Sequence, residues 1–264
     1  MARAFRPIFS AGNAPPLRGL AARRSFSAGD APPLRALATR PIFSAGNAPP
    51  LRGLAARRSF SAGDAPLNTV LILGSTRAKR IGGKVGAYLE AKLEERGGHA
   101  VTVLDPRTSQ DGFFMRLMEK AYFHYRDDEV APPALEATAA LLRSADAIVV
   151  ASPEMNHTIS PGLVNLMNYF GSSVYARKPS GIATYSAGMW GGARCGVALR
   201  AYLSELGCLP VSATFQLPGA FRPGTFDETT GMLAADTAAA KSADRMLEQL
   251  EWHARAMRAA RADA

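Results

Sequence analysis

The chain has 264 residues, with 31 Lys and Arg against 22 Asp and Glu, for a formal charge of +9. That excess is confined to residues 1–66, which hold ten Arg, no Lys and two acids, a balance of +8 that leaves only +1 on the remaining 198 residues. A near-neutral body excludes the basic face that tracks nucleic-acid phosphates. A hydrophobic fraction of 47% excludes a wholly disordered chain, and no apolar run approaches the ~18–20 residues that cross a bilayer.

Residues 6–32 recur without change at 40–66, an offset of 34. A period of that length can mark a helical solenoid. Here each unit carries Ala-Pro or Ala-Pro-Pro and several Gly, which break helices, and little large apolar content to bury. The segment is rich in Arg, Ala and Ser and nearly free of acids, the composition of an organelle transit peptide. Arg24-Ser25-Phe26-Ser27-Ala28 and Arg58-Ser59-Phe60-Ser61-Ala62 are similar to mitochondrial processing sites. The expectation is a leader over 1–66 that directs the chain to the mitochondrion, with a plastid address or a cytoplasmic basic tail as alternatives, followed by one domain over 67–264.

The body alternates strand and helix patterns. Thr69–Leu73 is a short apolar run that ends in Gly74-Ser75, a buried strand. Ile81, Val85, Tyr88, Leu89 and Leu93 share one face of a helix over 80–96, stopped by Gly97-Gly98. His99–Asp105 is the second strand. Phe114, Leu117, Met118, Ala121 and Tyr125 fit one helical face in an aromatic stretch that packs in the core, lies at a subunit interface or forms a flap. Pro133–Ser144 is a helix and Ala147–Ser152 the third strand. Ser160-Pro161 supplies an N-cap and a first-turn proline for a helix to about Ser172. Gly181–Ser186 is the fourth strand, Gly192–Leu206 a helix and Val211–Leu217 the fifth strand. A terminal helix over Ala234 to about Ala260 ends in Arg255, Arg258 and Arg261, where its dipole favours cations. Five apolar strands separated by amphipathic helices predict an α/β fold, a doubly wound five-stranded parallel sheet with helices on both faces. A ligand then lies at the carboxyl ends of the strands, where strand order reverses.

Three loops occupy those ends. Gly74-Ser75-Thr76-Arg77-Ala78-Lys79-Arg80-Ile81-Gly82-Gly83 leads into a helix N-terminus, where amides and dipole attract phosphate. Ser75 and Thr76 add hydroxyls, and Arg77 and Arg80 add planar guanidinium groups. The loop lacks G-x-G-x-x-G, and Val85 replaces the Ser or Thr of a P-loop. Ser152-Pro153-Glu154-Met155-Asn156-His157-Thr158-Ile159-Ser160-Pro161 is a stiff loop between two prolines. Tyr185-Ser186-Ala187-Gly188-Met189-Trp190-Gly191-Gly192 is built from small residues that let backbone approach a flat ligand, with Trp190 either stacking on it or packed in its loop. Thr184 replaces the first Gly of G-x-S-x-G, so Ser186 is not a hydrolase nucleophile.

GSTRAKRIGGKV, SPEMNHTISPGLVNLMNY and YSAGMWGGARCGVALRAYLSELG, in this order and spacing, resemble the NAD(P)H-dependent FMN reductase family of flavodoxin-like folds. The likeness covers about Asn68 to Leu217. It implies FMN as cofactor, NADPH or NADH as co-substrate, quinones, free flavin or similar small molecules as acceptors, and a homodimer or homotetramer. Carried over by position, Ser75, Arg77, Arg80 and the amides around Ile81 and Gly82 hold the FMN phosphate. Pro153, Glu154, Met155, Asn156 and His157 border the isoalloxazine, and Ser186, Ala187 and Gly188 line its other edge. Met155 departs from the Tyr common in the family. A flavodoxin-like electron carrier and a non-enzymatic flavin-binding regulatory subunit are the alternative functions. Flavin carries the redox chemistry, so no catalytic side chain is expected. The histidines show no metal-ligand spacing and no metal is expected. Cys195 and Cys208 are read as free thiols.

Overall fold

The computed structural model describes residues 65–262. The duplicated segment, and with it the expectation of a leader over 1–66, lies outside the described residues but for Ala65 and Pro66. Five strands, β1 (Leu67–Leu73), β2 (His99–Leu104), β3 (Ala147–Pro153), β4 (Pro179–Tyr185) and β5 (Leu209–Leu217), form one sheet in the order β2-β1-β3-β4-β5. All four pairings are parallel. β3 and β4 are buried at every position, and β1 everywhere except Asn68. Helices cover both faces of these strands, which is why they read as unbroken apolar runs.

Six α-helices complete the layers: α1 (Gly82–Arg96), α2 (Pro133–Ser144), α3 (Pro161–Asn168), α4 (Ser172–Tyr175), α5 (Ala193–Glu205) and α6 (Ala238–Ala262). Alternate residues of β1 point to opposite faces. Leu71 packs with Val85, Leu89 and Leu93 of α1 and Leu247 and Leu250 of α6. Val70 and Ile72 pack with Leu135 and Leu142 of α2, Leu163 of α3 and Leu199 of α5. The right-handed crossovers that feed parallel strands place α1 and α6 on one side and α2, α3 and α5 on the other.

Three expectations change. The aromatic stretch is not a helix. It forms two 3-10 turns, Ser109–Met115 and Tyr122–His124, with Gln110, Asp111 and Gly112 at positive φ in the first. Phe114 packs edge-on against Tyr169, 5.4 Å between ring centres. Asn165 Nδ2 donates to the carbonyls of Phe114 and Arg116, and its Oδ1 accepts the Met118 amide. These contacts from α3 replace the helical ladder. Met115, Leu117 and Phe123 are left exposed. The helix after Ser160 breaks before Gly171, whose extended backbone separates α3 from the single turn of α4. Ser160 does stand at the N-cap position, but its hydroxyl donates to the Gly74 carbonyl at 2.8 Å and accepts no amide of α3.

The arginines at the end of α6 have specific partners. Arg261 reaches Asp146 at 2.7 Å and the Arg177 carbonyl at 2.9 Å. Arg258 donates to the carbonyls of Ala65 and Pro66 and lies 3.6 Å from Asp146. Asp146 also accepts the Asn68 amide, so it ties the C-terminal helix to the start of β1.

His99 makes the fold pH-sensitive. Its Nδ1 pairs with Thr69 Oγ1 at 2.9 Å, while Nε2 is buried without a partner. Burial pushes its pKa down to about 4, Glu251 opposing and Arg96 and Arg255 adding to the fall. A depressed folded-state value means that the unfolded chain binds the proton first. This contribution is complete above about 6.5 and is lost as pH falls toward about 4, on the order of 3 kcal/mol in all. Urea unfolding of the protein is expected to show this acid-side loss, and His99→Gln is expected to flatten the curve between those limits.

Candidate functional site

Strand order reverses between β1 and β3, with β2 on one side and β4 on the other. The loops leaving β1 and β3 therefore diverge above the sheet and open a crevice. A cleft of about 490 Å³ lies there, lined by Arg77, Pro153, Glu154, Met155, Asn156, Pro161, Tyr185, Ser186, Ala187 and Phe221. All three loops singled out in the sequence contribute to it.

The first loop ends at α1. No side chain caps that helix and no acid lies in its first turn. Its N-terminal amides and positive dipole end thus follow the Arg77 loop without a built-in anion. Arg77 is exposed on the cleft wall. Ser75 is buried. Arg80 is placed differently from the expectation: it forms a two-pronged ion pair with Asp105 at the end of β2 and donates to the Ser75 carbonyl at 2.6 Å. Burial pushes the Asp105 carboxyl up, but hydrogen bonds from Arg80 and the Arg107 amide outweigh it and hold the group below its ordinary value. Arg80 braces the loop from beneath. Ile81 stands at the N-cap position in helical conformation and Gly82 is the buried first residue of α1.

The second loop is a tight hairpin. Met155 and Thr158 exchange backbone hydrogen bonds, and Asn156 and His157 between them both have positive φ, 49° and 61°. This is the pattern of a type I′ turn. Asn favours that conformation, so the turn aims Asn156 into the cleft rim. His157 is exposed at the tip and is not among the lining residues. Glu154 is an anchor: Oε2 accepts the amides of Arg194 and Cys195 at 3.0 and 3.1 Å in the first turn of α5. Its carboxylate suits that N-terminus and links the second loop to the third.

In the third loop, Ser186 and Ala187 line the cleft. Gly188 does not; its carbonyl accepts Ser186 Oγ and the Gly219 amide. Trp190 neither stacks over the cleft nor packs inside its loop. It is 59% exposed, with the Arg194 guanidinium 5.6 Å from its ring centre. Cys195 lies next to the site, but burial pushes its thiol up to about 11, so it is protonated and a poor nucleophile at neutral pH. Cys208 is likewise a buried free thiol. Among the described residues, no three His, Cys, Asp or Glu side chains gather as metal ligands.

Sequence reasoning left three lining residues unassigned. Pro161 and Tyr185 stand in the second and third loops by sequence, with no contact to a ligand assigned to either. Phe221 follows β5, outside the three loops; its signal is an aromatic in a Gly- and Pro-rich connection at the functional edge of the sheet.

A doubly wound sheet of order 2-1-3-4-5 with a crevice at the β1/β3 reversal defines the flavodoxin-like fold class. The model for the NADPH-dependent FMN reductase family matches residues 67–222, and the chain belongs to that family. It is 31% identical over 125 residues to the quinone reductases of Escherichia coli K12 and Shigella flexneri, an alignment covering 42% of this chain and 66% of each relative. The chain thus spans just under two thirds of those relatives. The flavoenzyme NAD(P)H:(acceptor) oxidoreductase FerB of Paracoccus denitrificans superimposes with a TM-score of 0.55 at 19% identity, covering 71% of this chain and 98% of that one. An oxidoreductase of Corynebacterium diphtheriae gives 0.51 at 15% identity, covering 72% and 97%. These two likenesses concern the fold.

Family membership implies FMN as the cofactor, and the donor set fits it. An uncapped helix N-terminus and Arg77 suit a phosphate, and a cleft lined by Pro153, Met155, Pro161 and Phe221 suits a planar ring. Three buried hydroxyls among the described residues, Thr138 Oγ1, Ser180 Oγ and Tyr185 Oη, lack a well-formed hydrogen bond, and of these residues only Tyr185 lines the cleft.

The Glu154 anchor is testable without any ligand. Glu154→Ala removes the acceptor for two amides of α5 and is expected to lower stability by about 1–2 kcal/mol. Glu154→Gln is expected to recover part of that loss. The midpoints of urea unfolding for the two variants and the parent give the measurement.

Proposed function

We propose that this chain is an FMN-dependent oxidoreductase that takes hydride from NADPH or NADH and delivers electrons to quinones, free flavin or similar small acceptors. The observation that carries the reading is the convergence of three loops on one crevice beside an uncapped helix N-terminus. The likeness to the quinone reductases of Escherichia coli and Shigella flexneri supports the acceptor class. FMN, when bound, supplies the hydride chemistry. The chain's own residues place it. Arg77 and the α1 amides receive the phosphate, the Pro153–Asn156 hairpin and Ser186–Ala187 border the ring, and Ser75, Ile81, Gly82, His157 and Gly188 complete the surrounding loops. Arg80 shapes the phosphate loop through Asp105. No acid–base pair is needed in the cleft.

The purified full-length chain is expected to bind FMN, turn yellow and oxidise NAD(P)H in the presence of a quinone. A chain that takes up no FMN would sink the proposal. Bound FMN without NAD(P)H oxidation would leave an electron carrier or a flavin-binding subunit.

We also infer that the body assembles as a homodimer or homotetramer, since Met115, Leu117, Phe123 and Val130 expose large apolar side chains. Residues 1–66 are proposed as a mitochondrial import signal on their composition. A fluorescent reporter fused behind residues 1–66 is expected to enter mitochondria, and a diffuse cytosolic signal refutes the address.

A further inference from the structure

We propose that the Tyr185 hydroxyl is an anchoring donor for the phosphate of the bound flavin, and that residue 82 is Gly in order to admit it. This rests on the FMN reading above and assigns a ligand from a strand that carries none of the family-like phosphate motif. Tyr185 is the last residue of β4 and is 1% exposed. It pairs with Pro153 across the sheet, and its carbonyl accepts the Glu154 amide. The strand alternation sends its side chain to the α1 face, where its ring joins the core beneath α1. Its ring also lines the cleft.

The hydroxyl ends at the start of α1. A Cβ on Gly82 would lie 2.4 Å from Tyr185 Oη, whereas one on Gly83 would meet nothing within 4 Å. Of the two adjacent glycines, only the first is required by packing, and the atom that requires it is this oxygen. Tyr185 Oη is buried, and the Ser75 side chain beside it is its one polar neighbour, without a well-formed hydrogen bond between them. Burial pushes the phenol far above its ordinary range, with Ser75, Arg80 and Arg77 pulling in the other direction. It is therefore a neutral O–H donor at physiological pH, set under the helix end where an anion is favoured.

The chemistry selects the ligand. An uncharged donor beside uncapped amides and Arg77 matches a phosphate monoester, which offers three acceptor oxygens.

The test is flavin titration of the full-length chain, followed by fluorescence quenching, with FMN and with riboflavin, which lacks the phosphate. Tyr185→Phe is expected to raise the Kd for FMN about tenfold, the scale of one hydrogen bond to a charged group, and to leave the riboflavin Kd within about twofold. Its urea midpoint in the absence of flavin is expected to stay level or rise. Gly82→Ala, which presses on the same hydroxyl, is expected to weaken FMN more than riboflavin as well. An unchanged FMN Kd in Tyr185→Phe, or equal losses for both flavins, overturns the assignment while leaving the cofactor reading intact. A parent chain that takes up neither flavin overturns both.

Discussion

The contact on which the functional end depends is the approach of Gly74 to Ser160. Ser160 Oγ donates to the Gly74 carbonyl at 2.8 Å, and the Gly74 amide donates to Ala151 at 2.8 Å. Ser152 Oγ lies 3.2 Å from the same serine hydroxyl, so the ends of β1 and β3 are sewn together inside the protein. A Cβ on Gly74 would stand 2.8 Å from Ser160 Oγ, and one on Gly162 would stand 2.4 Å from the Thr76 side chain. Adjacent strands twist by roughly 20–25° relative to one another, which spreads what leaves their ends. The knot fixes where that spread begins. Above it, one loop turns to α1 and the other to the Pro153–Asn156 hairpin, and the cleft is the space between them.

The charges around this cleft have divided roles. Arg80 is satisfied by Asp105 and the Ser75 carbonyl, so its contribution is a rigid loop rather than a free guanidinium. Such a pair is weak evidence for net stability, but removing one member would strand a nearly buried ion. Arg77, three residues earlier, is exposed on the cleft wall. Glu154 is spent on the amides of α5, which keeps its negative charge bonded within the cleft wall. The positive pull on an anion thus comes from Arg77 and the α1 dipole, with one brace beneath the loop and one at its side.

The sheet was readable because buried parallel strands leave unbroken apolar runs, as in Ala147–Pro153, and because helix punctuation was intact, with Pro133 opening α2 and Gly207 closing α5 at φ 83°. The three loops were readable because a doubly wound sheet exposes ligands at only one edge. What escaped is tertiary. The spacing of Phe114, Leu117, Met118, Ala121 and Tyr125 does fit a helix, and local pattern gives no warning that Asn165 and Tyr169, some fifty residues on, will hold that backbone in 3-10 turns. Arg77 and Arg80 look equivalent in sequence; only the position of Asp105 at the end of a neighbouring strand separates them. Phe221 joins the cleft because its strand ends beside β4, a fact of strand order rather than of any motif.

The glycines of the third loop carry a similar lesson about cause. Their spacing invites the reading that small residues let backbone reach the ligand. At Gly191 and Gly192, φ is 59° and 85°, and an added Cβ would meet the Pro218 amide nitrogen at 3.0 Å and the Thr184 side chain at 2.7 Å. Thr184 Oγ1 donates to the Gly191 carbonyl, locking that turn onto β4. Gly188, the member placed against the ring by family likeness, has open space about its Cα. The demand for glycine therefore comes from packing the turn against β4 and the end of β5. That packing holds Ser186 and Ala187 at the cleft while Met189 and Trp190 face a second hollow on the far side of the same loop. The loop is a partition whose position is fixed by its own backbone, and the cleft inherits its width from that constraint.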